Sequence, residues 1–169
     1  MKVILLGYMA SGKSTLVKYL AGKLEIEAID LDDYIVDREK DSIKNIFNKK
    51  GEIYFRNQES IYLKELIFNK NSFVLSLGGG TPCYANNMTL LNDQPNSFYL
   101  KANLKTLYNR LHIQKAERPL ISELDDEKLH EFIAKHLFER TPFYDLAKHK
   151  INVDNKATEE IGNEILQLL

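Results

Sequence analysis

At 169 residues, with 44% hydrophobic and 28% charged positions, the chain has the size of one domain and can bury a core without disulfides or metals. A formal net charge of -1, from 23 Lys+Arg against 24 Asp+Glu, gives no global basic field for nucleic acid, so any anion binding must be local. No apolar run approaches the roughly 20 residues of a membrane span, the single cysteine, Cys83, cannot close an internal disulfide, and residues 1–7 are too short for a signal segment. A cytoplasmic protein with no membrane or nucleic-acid partner is the expectation.

Residues 3–6 are a short continuous apolar run ending in Gly7, the pattern of a strand buried on both faces. Residues 13–23 then carry Leu16, Val17, Leu20 and Ala21 at helical spacing. Further strands are read at 26–29, 73–77, 97–100 and 150–153, each before a stretch readable as helix. The strongest late helix is 127–139, where Leu129, Phe132, Ile133, His136 and Leu137 share one face. Alternating strands and helices imply an α/β fold with a parallel sheet and right-handed crossovers. Two stretches break the alternation. Residues 32–69 suit successive helices and read as a helical insertion, and 114–123, with Arg118-Pro119 and no clear period, read as a surface loop.

Gly7-Tyr8-Met9-Ala10-Ser11-Gly12-Lys13-Ser14 matches the Walker A pattern between a strand and a helix, the context that pattern requires. Small residues let successive backbone N–H groups converge on phosphate oxygens, and the helix N-terminus adds partial positive charge. Lys13 supplies a cation for the β- and γ-phosphates of ATP, and the Ser14 hydroxyl suits Mg²⁺. The nucleotide-binding stretch is Ala10, Ser11, Gly12, Lys13, Ser14 and Thr15. Ala10 stands where many such loops have glycine, and its methyl is expected to require a negative φ.

Phosphoryl transfer to an alcohol needs metal positioning and an acceptor for the hydroxyl proton. Asp30, Asp32 and Asp33 lie just past the second strand, where α/β sheets place ligands. Residues two apart at a strand end point to one side, so Asp30 and Asp32 can share a cleft with Asp33 turned away. Asp32 is read as base or orienter and Asp30 as near the metal. Any of the three, Asp33 foremost, can instead cap the following helix.

Further motifs follow in order: Gly51-Glu52 before Phe55-Arg56, Leu77-Gly78-Gly79-Gly80, Arg118-Pro119-Leu120, and Arg140 before Pro142 and Tyr144. With the Walker A loop and Asp30-x-Asp32, these landmarks resemble the shikimate kinase family from Gly7 to Tyr144. The resemblance implies a P-loop, nucleoside-monophosphate-kinase-like fold, a three-layer sandwich with a five-stranded parallel sheet, as a single domain over 1–169. It implies a substrate-binding insertion at about 32–69, a lid at about 112–124 and a monomer. The implied reaction is ATP plus shikimate giving 3-phosphoshikimate and ADP, on the way to chorismate and the aromatic amino acids, with Mg²⁺. By the same resemblance Arg56 and Arg140 clamp the substrate carboxylate, a role planar guanidinium groups suit. Gly79 and Asp32 contact the substrate, Arg118 lies over the phosphates, Arg110 stacks on adenine, and an adenine loop near Asn155 includes Lys156.

The strand before the glycines lacks the Walker B aspartate of many P-loop proteins, leaving Mg²⁺ to Ser14, phosphate oxygens and waters, with Asp30 or Asp32 behind them. Two rivals stay in view. Another small-molecule kinase, for gluconate or a nucleoside monophosphate, shares the loop but has no evident need for Arg56, Gly79 and Arg140. A non-catalytic nucleotide-binding regulator shares the loop but has no use for an acceptor-site carboxylate. Cys83 reads as a packing residue, and His112, His130, His136 and His149 show no metal-ligand spacing.

Overall fold

The computed structural model describes residues 1–117 and 120–169. The strands β1 (Lys2–Leu6), β2 (Glu27–Asp30), β3 (Phe73–Ser76), β4 (Ser97–Lys101) and β5 (His149–Asn152) form one five-stranded sheet. Its order is β2-β3-β1-β4-β5, and every pairing is parallel. Val3, Ile4, Leu5 and Leu6 are all fully buried. Successive strand residues point to opposite faces, so burial of all four means that helices cover both sides. One layer contains α1 (Lys13–Leu24) packed on α7 (Thr158–Leu166), and α5 (Leu104–Ile113) packs on α6 (Asp126–Tyr144). The edge strands bury less: only Ile29 in β2 and Ile151 in β5.

Residues 32–69 are covered by α2 (Leu31–Glu39) and α3 (Ile43–Asn69), the latter kinked at Gly51. Ile35 of α2 and Ile46, Phe55, Leu63 and Leu66 of α3 carry the apolar faces that hold these helices to the body of the protein. A short 3-10 turn, Thr81–Cys83, and α4 (Asn87–Asn92) follow β3. No described helix is long and apolar enough to cross a membrane.

Two sequence readings need correction. The late helix runs past residue 139 to Tyr144, through Pro142. A proline inside a helix removes one hydrogen bond and crowds the preceding turn, but the full burial of Tyr144 anchors the last turn and overrides the breaker. The stretch 114–123 is not simply a surface loop. It includes a 3-10 turn at Lys115–Glu117, and Ile121 is fully buried. A lone apolar residue in a polar stretch gives no periodicity, so only tertiary packing reveals its burial.

The chain passes from β1 to β2 on one side and later crosses β1 from β3 to β4 on the other, so a crevice opens at the C-terminal ends of the strands. Gly7 stands at that crevice with φ of 143°, and a Cβ there would lie 2.8 Å from the Leu100 carbonyl oxygen of β4. Both the conformation and the backbone contact exclude a side chain. Gly7→Ala is therefore expected to lose on the order of 2 kcal/mol or more of stability, read as a lower midpoint in thermal unfolding followed by circular dichroism.

Candidate active site

The loop from Gly7 to Gly12 turns directly into α1, whose first turn has no acidic residue and no side-chain cap. Its uncapped amides, with the helix dipole behind them, suit an anion. Lys13 is buried and its ammonium donates to the carbonyl oxygens of Gly7 (2.8 Å) and Tyr8 (2.9 Å), which holds the cation inside the loop. Ala10 departs from expectation. Its φ is +61°, in the left-handed region, not negative. An L-residue tolerates that region at about 1–2 kcal/mol, and the Ala10 carbonyl is held by a 3.0 Å hydrogen bond from Arg110 Nη1 of α5.

Asp30 ends β2 and is the residue that caps α2, a role the sequence assigned first to Asp33. Its Oδ1 accepts from the Asp32 amide at 3.0 Å. Its Oδ2 lies 3.5 Å from Ser14 Oγ, so one carboxylate both starts the helix and faces the end of the phosphate loop. Asp32 is in the first turn of α2 rather than in an extended strand end, yet it shares the cavity with Asp30 because the chain turns there at once. Burial pushes the Asp32 carboxyl up to about 6, with the negative charges of Asp30 and Glu59 adding to the effect and Lys13 and Arg56 opposing it. Asp33 is exposed, on the outer flank of the same region.

The glycines after β3 are packed against charge. A Cβ on Gly78 would lie 3.1 Å from Asp32 Oδ1, one on Gly79 3.3 Å from Arg140 Nη1, and one on Gly80 2.7 Å from Arg56 Nη2. The three side chains reach this backbone from α2, α6 and α3 respectively. Arg56 is further held by Glu59 (Nη1 to Oε2, 2.8 Å) and by Glu52 at 3.6 Å, with the Tyr84 ring 4.3 Å from its guanidinium carbon. Glu59, almost wholly buried, also accepts a 2.6 Å hydrogen bond from the Thr81 hydroxyl. Arg140 lies over the Tyr8 ring at 5.6 Å, and Tyr8 shares a 3.1 Å hydrogen bond with His136. Burial pushes the nearby Cys83 thiol up to about 11, against a nucleophilic role.

A cavity of about 540 Å³ runs from the loop past Asp30, Asp32, Gly78 and Gly79 to Arg110 of α5 and to Lys156, whose ammonium is 2.5 Å from Glu164. Ala10, Ser11, Gly12, Lys13, Ser14 and Thr15 all line it. Arg118, assigned to the phosphates, lies outside the described residues. Glu59, Tyr8 and Tyr144 were not singled out by function in the sequence. Glu59 left a signal, one helical turn after Arg56 on the same face, and Tyr144 stood among the family landmarks without a role.

A phosphate loop at the switch point of a parallel sheet, with an acid and two guanidinium groups facing it across a glycine-lined crevice, defines a P-loop kinase of the nucleoside-monophosphate-kinase-like fold. The profile of the shikimate kinase family matches residues 9–169. The chain is 49% identical to a shikimate kinase of Flavobacterium johnsoniae, covering 99% of this chain and 98% of that protein. It is 43% identical to one of Flavobacterium psychrophilum with the same coverage. Among solved structures, shikimate kinase from Bacteroides thetaiotaomicron superposes with a TM-score of 0.90 at 35% identity, covering 99% of this chain and 96% of that one. Shikimate kinase from Acinetobacter baumannii in complex with shikimate does so with a TM-score of 0.87 at 30% identity, covering 99% and 91%. The chain belongs to the shikimate kinase family.

The raised pKa of Asp32 has a stability consequence. A carboxyl whose folded pKa lies above its unfolded value stabilises the fold fully at pH below about 4, and that contribution is lost as pH rises through about 6. Above that, the native state must hold an ionised carboxylate beside Asp30 and Glu59. Asp32→Asn removes the burden, so its melting temperature is expected to exceed that of the wild type by a few degrees at pH 7.5, with a smaller difference at pH 4.5.

Proposed function

We propose that the enzyme transfers the γ-phosphoryl group of ATP to the 3-hydroxyl of shikimate, releasing ADP and 3-phosphoshikimate. The observation that carries this reading is the placement of Arg140 and Arg56 against Gly79 and Gly80, with Gly79 lining the same cavity as Asp32 and the phosphate loop. A carboxylate-bearing polyol of shikimate's size fits that set: two planar forks for the carboxylate, open glycine backbone for the ring, and an acid for the reacting hydroxyl.

In this reading Lys13 and the amides of the loop, Ala10 to Thr15, hold the phosphates, and Arg110 and Lys156 border the nucleotide base at the far end of the cavity. Arg118 is assigned to the phosphates, on the resemblance alone. Asp32 accepts the proton of the attacking hydroxyl, or orients that hydroxyl, as its oxygen bonds to the γ-phosphorus and the bond to the ADP oxygen breaks. A base poised near neutrality needs no large rearrangement of charge to take up that proton.

Ser14 Oγ and Asp30 Oδ2 supply oxygen donors of the kind Mg²⁺ takes at the end of a phosphate loop, so the residues present fit that ion. Among the described residues no group of three or more His, Cys, Asp or Glu could hold a metal, so the remaining ligands would be phosphate oxygens and water. When bound, the ion would offset phosphate charge. The reading also makes the enzyme a cytoplasmic monomer.

The test is ADP release from MgATP with shikimate, and with quinate and gluconate as controls. Wild type is expected to respond to shikimate, and Arg56→Ala to lose on the order of 100-fold in kcat/KM for it. Release driven equally by gluconate, or independent of any acceptor, would reject the reading in favour of another small-molecule kinase or a nucleotide-binding regulator. In the wild type, kcat/KM should rise with pH and level off above about 6, as Asp32 loses its proton.

A further inference from the structure

Tyr144 has no assigned part in the site, yet it touches two of its components. Its side chain is fully buried at the end of α6, and its hydroxyl donates to the Gly79 carbonyl oxygen at 2.5 Å. The Arg140 guanidinium, one helical turn earlier on the same helix, is near enough for its positive charge to act on the same hydroxyl. Arg140 Nη1 in turn lies 3.3 Å from where a Cβ on Gly79 would be. Guanidinium, phenol and peptide therefore close a three-membered contact.

From this geometry we infer that Tyr144 is a positioning residue that fixes the substrate-facing glycine peptide and the Arg140 guanidinium relative to each other. A peptide unit is planar, so pinning the Gly79 carbonyl also sets the direction of the Gly80 N–H on its far side. The phenol serves because it donates and accepts through one oxygen. It stands between a guanidinium that can only donate and a carbonyl that can only accept, and so suits both. Glycines have wide backbone freedom, and the peptide between Gly79 and Gly80 would turn readily without such a pin. The hydroxyl is held protonated by its burial, which raises its pKa and keeps the donor in place.

The inference rests on the shikimate reading of the site, and kinetics of Tyr144→Phe test it with shikimate and ATP varied in turn. The expected result is a KM for shikimate raised about tenfold, with kcat and the KM for ATP within about twofold of wild type. In an Arg140→Ala background the same substitution should raise KM for shikimate by clearly less than tenfold, because part of its effect runs through Arg140. Tyr99→Phe is the control: this buried tyrosine packs its ring 5.1 Å from the Tyr144 ring, centroid to centroid, so loss of its hydroxyl should leave both KM values unchanged. A hydroxyl with only a structural role would shift both KM values together along with the melting temperature, or act additively with Arg140→Ala. Either result overturns the inference. A wild type that releases no ADP in response to shikimate overturns the functional reading itself, whereas an active wild type matched by Tyr144→Phe overturns the positioning role alone.

Discussion

Three consecutive residues without side chains, Gly78 to Gly80, let an acid and two cations from three different helices press against one strand end. Charged groups approach backbone this closely only where no Cβ intervenes. Asp32 from α2, Arg140 from α6 and Arg56 from α3 are separated by up to 108 positions in the chain, yet each meets the next glycine in line. The insertion helices and the long last helix owe their useful orientation to this meeting point. Without it the phosphate loop would face an unfurnished crevice.

The charges brought together in this way are not balanced pair by pair. Glu59 is buried and satisfied by Arg56 and Thr81, which fixes the guanidinium on one side. A buried carboxylate with two good partners is a stiff support, since removing either would leave charge unpaired in a poorly solvated place. Among the described residues Asp32 has no comparable partner; it is near two other carboxylates and answers by holding its proton more tightly. One acid thus anchors and the other remains ready to take up a proton. The difference lies entirely in what surrounds each carboxylate.

Local chemistry was the legible part of the sequence. The strand, glycine loop and helix of the phosphate cradle lie within some two dozen consecutive residues, and their spacing alone predicts their order. The positions of the five strands and the burial of β1 on both faces follow the apolar runs closely, with boundaries shifted by a residue or so. What misled was context. Ala10 was expected to avoid positive φ because an isolated methyl disfavours it, but a loop tied to α5 through Arg110 overrides that preference. The late helix, read to residue 139, runs on through Pro142 to a buried Tyr144. Asp30 proved to be the cap of α2 because the strand stops there and its carboxylate meets the Asp32 amide, a detail of one residue's register.

By itself the sequence determined that this is a P-loop protein with an acidic pair after its second strand and arginines in the right order for a shikimate kinase, because those features depend on short spacings and residue type. Only the tertiary structure decided which side chains converge on which glycine, that Glu59 and Tyr144 stand behind the two arginines, and that Asp32 is the carboxyl with raised pKa. Such facts arise from contacts between distant segments and from the loss of water around them, and no pattern along the chain encodes either.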